Sequence, residues 1–231
     1  MDSALLEAVR SGDRRALSRA ITFIENSGEA AEVGPPGRLI GITGPPGAGK
    51  STLIASMIDV IRSRGETVAV LAVDPSSPVT GGAILGDRIR MQAHIDDEGV
   101  YIRSMATRGH LGGLASSTAE AASLMAEAGF DRVLIETVGV GQSEVEIMGP
   151  AAVVILVVGP AWGDQVQADK AGIVEIADVF VVNKGDQPGA HEVKRALEEA
   201  ARDRGARVLI TTATTGEGVD ELLDEVDRLL D

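Results

Sequence analysis

Residues 44–51 read Gly44-Pro45-Pro46-Gly47-Ala48-Gly49-Lys50-Ser51 and fit the pattern Gly-x4-Gly-Lys-Ser/Thr. The run Leu39-Ile40-Gly41-Ile42 ahead of them has strand length. Behind them, Thr52-Leu53-Ile54-Ala55-Ser56-Met57-Ile58 carries helical spacing on to Arg62. A strand, a glycine turn and a helix N-terminus in that order make an anion site. The glycines let backbone N–H groups turn inward without Cβ clashes, and the helix end adds a partial positive charge. The stretch therefore predicts a phosphate-binding loop lined by Gly47, Ala48, Gly49, Lys50, Ser51 and Thr52. Lys50 would reach the β- and γ-phosphates of a nucleotide, and the Ser51 hydroxyl would ligate Mg²⁺.

Outward from this loop, apolar runs alternate with amphipathic ones. Strands are expected at 39–43, 67–73, 100–105, 132–137, 152–158, 179–183 and 207–211. Helices are expected at 50–64, 113–128, 189–204 and 218–230, with helical stretches of less definite ends at 84–95 and 165–177. Several strands are apolar on both faces, as in parallel sheets covered on both sides. The expected fold is an α/β P-loop NTPase, a doubly wound and mostly parallel sheet. Ligands should sit at the C-terminal ends of its strands. Ahead of it, residues 4–25 read as two helical segments, with Asp13 capping the second and Leu17, Ala20, Ile21 and Ile24 on its apolar face. Residues 1–34 are thus expected to form a helical arm and linker, and 35–231 the nucleotide-binding domain.

Composition narrows the classes. A net charge of −14 argues against broad binding to nucleic acid or anionic membranes. There is no cysteine, which excludes disulfides, thiolate metal sites and thiol catalysis. His94, His110 and His191 lie far apart, so a transition-metal site is not expected. No apolar run reaches the roughly 18 residues of a membrane span, and the N-terminus lacks a signal pattern. A cytoplasmic protein is expected.

A second motif, Asn183-Lys184-Gly185-Asp186, directly follows the apolar run Val179-Phe180-Val181-Val182. A carboxylate at Asp186 can accept from guanine N1–H and the N2 amino group, donors that adenine does not offer on that edge. Asn183 would bond the other edge and hold the loop, and the Lys184 stem would cover the ring. Thr211-Thr212-Ala213 follows the last strand, where the Ala213 N–H is the candidate for guanine O6; a plain strand-end turn is the alternative. On the metal side, Asp74 and Glu136 end strands, and each would point at the phosphate loop if its strand neighbours the first. Asp87 is a looser candidate. Glu136-Thr137-Val138-Gly139 resembles an Asp-x-x-Gly switch in which the Gly139 N–H senses the γ-phosphate. Val140 cannot orient water; Gln142 is the candidate that might, or else a polar switch residue. Trp162 is either plain packing or part of a loop at the nucleotide edge.

These pieces together resemble the MeaB/ArgK-type GTPases, chaperones of adenosylcobalamin-dependent acyl-CoA mutases such as methylmalonyl-CoA mutase. The resemblance runs through Gly12-Asp13-Arg14-Arg15-Ala16-Leu17, the phosphate loop, Val73-Asp74-Pro75-Ser76-Ser77 and Thr80-Gly81-Gly82-Ala83-Ile84-Leu85-Gly86-Asp87-Arg88. It continues through Arg103-Ser104-Met105-Ala106-Thr107-Arg108-Gly109-His110-Leu111-Gly112-Gly113-Leu114, Glu136-Thr137-Val138-Gly139-Val140-Gly141-Gln142-Ser143-Glu144 and Asn183-Lys184-Gly185-Asp186. It implies GTP and GDP as ligands, and a Mg²⁺ network of Ser51, Asp74, Asp87 and Glu136. It also implies switch regions at 139–146 and 159–172 that report nucleotide state to the mutase, Lys170 falling in the second. Catalysis would then rest on Lys50, Asp74, Glu136 and Gln142. Family members usually dimerise through a C-terminal extension, whereas this sequence stops at Asp231, so a homodimer of the usual kind is in question. Three other readings remain: a nickel-insertion GTPase, disfavoured by the absent Cys and unclustered His; a P-loop kinase of ArgK type, disfavoured by the guanine motif; and a nucleotide-dependent interaction module with negligible turnover.

Overall fold

A computed structural model describes residues 1–27, 38–74, 94, 96–106, 111–137, 146, 148–162 and 173–231. The strands in chain order are β1 (Leu39–Thr43), β2 (Val68–Asp74), β3 (Val100–Ala106), β4 (Arg132–Thr137), β5 (Val153–Val158), β6 (Val179–Asn183) and β7 (Arg207–Thr211). The helices are α1 (Ser3–Arg10), α2 (Arg14–Ser27), α3 (Lys50–Ser63), α4 (Leu111–Glu127), the single turn α5 (Ile173–Ile176), α6 (Ala190–Ala200) and α7 (Val219–Leu230). The strands form one seven-stranded sheet in the order β3-β2-β4-β1-β5-β6-β7. All its pairings are parallel.

The doubly wound arrangement follows from the strand sequences. β1, β4, β5 and β6 are buried at every position, so neither face of the sheet can meet water. Alternate residues divide between the faces. Ile40, Ile42, Leu134, Ile155 and Val181 pack with Leu53, Met57 and Ile61 of α3 and Leu222 and Val226 of α7. Leu39, Leu71, Val133 and Ile135 pack on the other face with Leu17, Ile21 and Ile24 of α2 and Leu124 and Met125 of α4. Next to these, Leu156, Val158, Phe180 and Val182 meet Val193 and Leu197 of α6.

The expected strands are all present, with ends within one residue. The helix expected at 189–204 is shorter: α6 stops at Ala200 and a 3-10 turn, Arg202–Arg204, follows before Gly205 at φ 66°. Of the less definite stretches, 84–95 lies outside the described residues except for residue 94, and 165–177 is described only from residue 173.

The N-terminal helices are part of the same packing. Asp13 caps α2, accepting from Arg15 N at 2.8 Å and Ala16 N at 3.1 Å. These backbone donors hold its carboxyl below the usual range. Arg14 donates to Val100 O at 2.8 Å, Ser18 and Tyr101 share a 3.0 Å hydrogen bond, and Arg103 reaches Glu25 at 3.1 Å. Their apolar face and these polar ties fasten the helices to the edge strand β3.

One glycine inside β1 has a packing cause. A Cβ on Gly41 would lie 2.3 Å from Met148 Sδ. The thioether occupies the notch that the missing side chain leaves, which offsets the poor strand preference of glycine.

Candidate functional site

β1 delivers the phosphate loop at the middle of the sheet, and the loop runs straight into α3. Gly44, at φ +145°, lies so close to β5 that a Cβ there would meet Val157 O at 1.9 Å. Gly49, at φ +92°, leaves room for the Asn183 amide, whose Nδ2 would be 2.4 Å from a Cβ. Both positions therefore demand glycine on conformation and on space. Lys50 and Ser51 open α3 and are 6% and 4% exposed. The Lys50 Nζ donates to Gly44 O at 2.8 Å and Pro45 O at 3.2 Å, which folds the ammonium back over the loop.

Glu136 stands beside β1, with Ile42 paired to Glu136 in the register. Its Oε1 accepts from the Ser51 hydroxyl at 2.7 Å, and it is 2% exposed. A hydroxyl and a carboxylate brought together at a helix N-terminus are hard oxygen donors of the kind Mg²⁺ takes, so these residues fit that ion. Asp74 does not meet the condition set for it: β4 stands between β2 and β1, so its strand is one removed from the first. Its backbone ends β2 at the same edge of the sheet, and its side chain lies outside the described part. Asp87, Gly139 and Gln142 also lie outside the described residues, as do Arg108, Val140 and Lys170. Among the described residues no group of three or more His, Asp or Glu forms a metal cluster.

The other side of the loop is described in full. β6 and β7 pair with Asn183 opposite Thr211, which sets their loops side by side. Asn183 Nδ2 donates to Ala48 O at 3.0 Å and Gly49 O at 3.3 Å. Its Oδ1 accepts from Ala213 N at 3.1 Å and Thr211 Oγ1 at 3.2 Å. One buried carboxamide thus joins three segments. Among the described residues Lys184 is the sole non-glycine with positive φ, at 61°, and its Nζ donates to Gly47 O at 2.8 Å. Gly185 sits where a Cβ would meet Ile210 Cγ2 at 2.4 Å.

These loops enclose a cavity of about 140 Å³ lined by Gly49, Thr52 and Asn183, by Lys184, Asp186 and Gln187, and by the turn 212–214. Asp186 is exposed at its rim. Two of the candidate base contacts already have protein partners, and those of Asn183 give it the loop-holding role expected of it. The Ala213 N–H, read as a donor to guanine O6, is taken by Asn183 Oδ1. Asn183, read as a contact to the base, uses its amide to tie the phosphate loop to the base loop. The reason is burial: at 2% exposure both ends of the amide need protein partners. The Thr211 hydroxyl and Gln187 were not singled out from sequence. Only the β6–β7 register could have found Thr211. Trp162 is 4% exposed and packs among Val158, Phe180 and Ala190.

No helix among the described residues is long and apolar enough to cross a membrane. In comparison with known proteins, the family model described as "Methylmalonyl Co-A mutase-associated GTPase MeaB" matches residues 17–231. A putative GTPase of Pyrococcus abyssi is 49% identical over 98% of this chain and 75% of its own length. The GTPase ArgK of Escherichia coli is 36% identical over 94% of this chain and 72% of its own. Among solved structures, one titled as a LAO/AO transport system kinase superposes with a TM-score of 0.76 at 27% identity. It covers 99% of this chain and 76% of that one.

Proposed function

The chain belongs to the MeaB family of P-loop GTPases, and from that premise we propose that it is a Mg²⁺-dependent switch that gates adenosylcobalamin loading and protects an acyl-CoA mutase in the cytoplasm. The observation that carries the reading is the match of residues 17–231 to a family described by its mutase association. Within this reading Asp186 selects guanine, and Asn183 and Lys184 hold the base loop against the phosphate loop. Lys50 leaves its carbonyl partners for the β- and γ-phosphates. Ser51 and Glu136 would hold Mg²⁺, with Asp74 and Asp87 joining them as the family resemblance implies, and the ion would supply charge neutralisation at the phosphates. Gly139 reports the γ-phosphate, and Gln142 orients water.

Slow turnover by the isolated protein is expected, because Val140 occupies the position after the switch glycine. A partner that engages 139–146 and 159–172 supplies the missing contacts, worth roughly 10³–10⁵ in rate. The test is single-turnover GTP hydrolysis with and without an adenosylcobalamin-dependent acyl-CoA mutase, with phosphate release measured directly. Fast hydrolysis that ignores the mutase would sink the switch reading. Transfer of the γ-phosphate to a protein or amino acid, rather than to water, would establish the kinase reading instead.

A further inference from the structure

We infer that the start of α2, with the cavity beside it, is a docking surface for an acidic protein partner, held there in both nucleotide states. The inference rests on the reading of an acyl-CoA mutase as that partner and adds where, away from the nucleotide, the mutase is gripped.

The cavity lies where the strands begin, at the edge opposite the phosphate loop. Gly12, Arg14 and Leu17 line it from the arm, and Ala128 and Phe130 from the turn after α4. Glu98, also at its wall, is exposed. Its volume is about 170 Å³. That is below the roughly 300 Å³ of a cleft for a drug-sized ligand and is room for one inserted side chain. The Arg14 guanidinium stands 5.7 Å from the centre of the Phe130 ring and donates to Val100 O and Glu98 O.

The arginines around it are unusual for this chain, whose net charge is −14. Arg10, Arg62, Arg64, Arg103, Arg132 and Arg207 each meet an acid. Arg14, Arg15 and Arg19 form no ion pair among the described residues, and Arg15 and Arg19 are exposed. Asp13, the acid of this turn, already accepts from Arg15 N and Ala16 N. For the helix alone the arrangement is unfavourable twice. Arg14 and Arg15 open α2 at the positive end of its dipole, and Arg15 and Arg19 set like charges one turn apart. Strapping β3 accounts for Arg14 but not for the other two. An acidic surface supplies what they lack, with one of its side chains seated in the cavity. A nucleic acid fits less well, because three arginines on so acidic a chain make a small phosphate footprint. Since the nucleotide loops leave the other edge of the sheet, this grip does not depend on the γ-phosphate.

Binding to a purified adenosylcobalamin-dependent acyl-CoA mutase from the same organism, by biolayer interferometry with GDP and with a non-hydrolysable GTP analogue, tests this. The chains compared are the parent, Arg15→Glu/Arg19→Glu, Ala128→Phe, which crowds the cavity, and Arg195→Glu/Arg202→Glu. The last makes the same charge change at exposed positions on α6 and the turn after it. Arg15→Glu/Arg19→Glu and Ala128→Phe are each expected to weaken binding about tenfold under both nucleotides. The charge-reversed chain should also lose much of the parent's sensitivity to salt. In mutase-stimulated hydrolysis the half-maximal mutase concentration should rise about tenfold while the maximal rate stays within about twofold. Parent-like binding by Arg15→Glu/Arg19→Glu would overturn the inference, and so would equal weakening by Arg195→Glu/Arg202→Glu or weakening under one nucleotide alone. A parent that binds no mutase with either nucleotide would overturn the mutase reading and this inference together. A parent that binds mutase through neither Arg15 nor Arg19 would overturn this inference alone.

Discussion

The two edges of the sheet are built from different materials. At the C-terminal edge the loops are joined through carbonyls, amides and hydroxyls: Asn183 to Ala48, Lys184 to Gly47, Thr211 to Asn183. Glycines there allow backbones to approach more closely than any side chain would permit. At the N-terminal edge the struts are ion pairs. Arg132, 2% exposed, opens β4 and is gripped by Glu66 and by Asp227 of α7. Arg64, at the end of α3, meets Asp220, Asp224 and Asp227. Arg207 opens β7 and reaches Glu221 and Glu225. The lesson is a division of labour. Charges fasten helices at the edge away from the phosphate loop, and directional, mostly uncharged contacts shape the edge that carries it.

The sharpest way to break this division is at Arg132. Burial works against its charge, but Glu66 and Asp227 outweigh it and raise its pKa. Arg132→Met should cost about 3 kcal/mol, the low end for breaking a buried pair, because both acids are partly exposed and regain water. The melting temperature should fall by about 6–12 °C, with GDP affinity within twofold of the parent. Thermal melts and calorimetric titration with GDP would check it, and a large loss of affinity would mean that the edges are not independent. The mirror experiment is Asp186→Asn. The parent is expected to bind guanine nucleotides at least about a hundredfold more tightly than adenine ones, about 2.7 kcal/mol. The variant should exchange that preference for xanthine nucleotides while its melting temperature stays unchanged.

The smallest expected effect concerns acid. Hydrogen bonding from Arg228, with Arg207 assisting against the cost of burial, holds the Glu225 carboxyl below the usual range. A carboxylate with a lowered folded-state pKa contributes stability that is complete above its unfolded value, about 4.3. That contribution is lost as pH falls through the folded value. Since both arginines are about half exposed, about 1 kcal/mol is expected. Melts of the parent and Glu225→Gln should therefore differ at pH 7 and draw together as pH falls through the lowered folded-state value. Nucleotide affinity at neutral pH should not distinguish them.

How much of this was legible beforehand differs between the same regions. The strands were readable because their apolar runs are continuous and end at glycine, proline or charged residues. The phosphate loop and the Asn183 turn were readable because each is contiguous in sequence. What could not be read was adjacency. Whether β4 lies beside β1 decides whether the Glu136 carboxylate can reach Ser51, and the strand order puts it there. Thr211 and Asn183 are distant in sequence and meet only through the β6–β7 register. The struts at the far edge were invisible for the same reason: Arg132 and Asp227 carry no motif, and only the packing of α7 brings them together.

The notch at Gly41 has a consequence for how such chains can vary. The strand that carries the phosphate loop and the residues that follow the 138–145 stretch fit one another as key and keyhole, with Met148 as the bit. Neither position is then free to drift alone. A methyl group at 41 demands a shorter residue at 148, and a shorter residue at 148 leaves a void in the middle of β1 unless 41 fills it. The two sites should covary as a complementary pair, although neither is assigned a contact with a ligand.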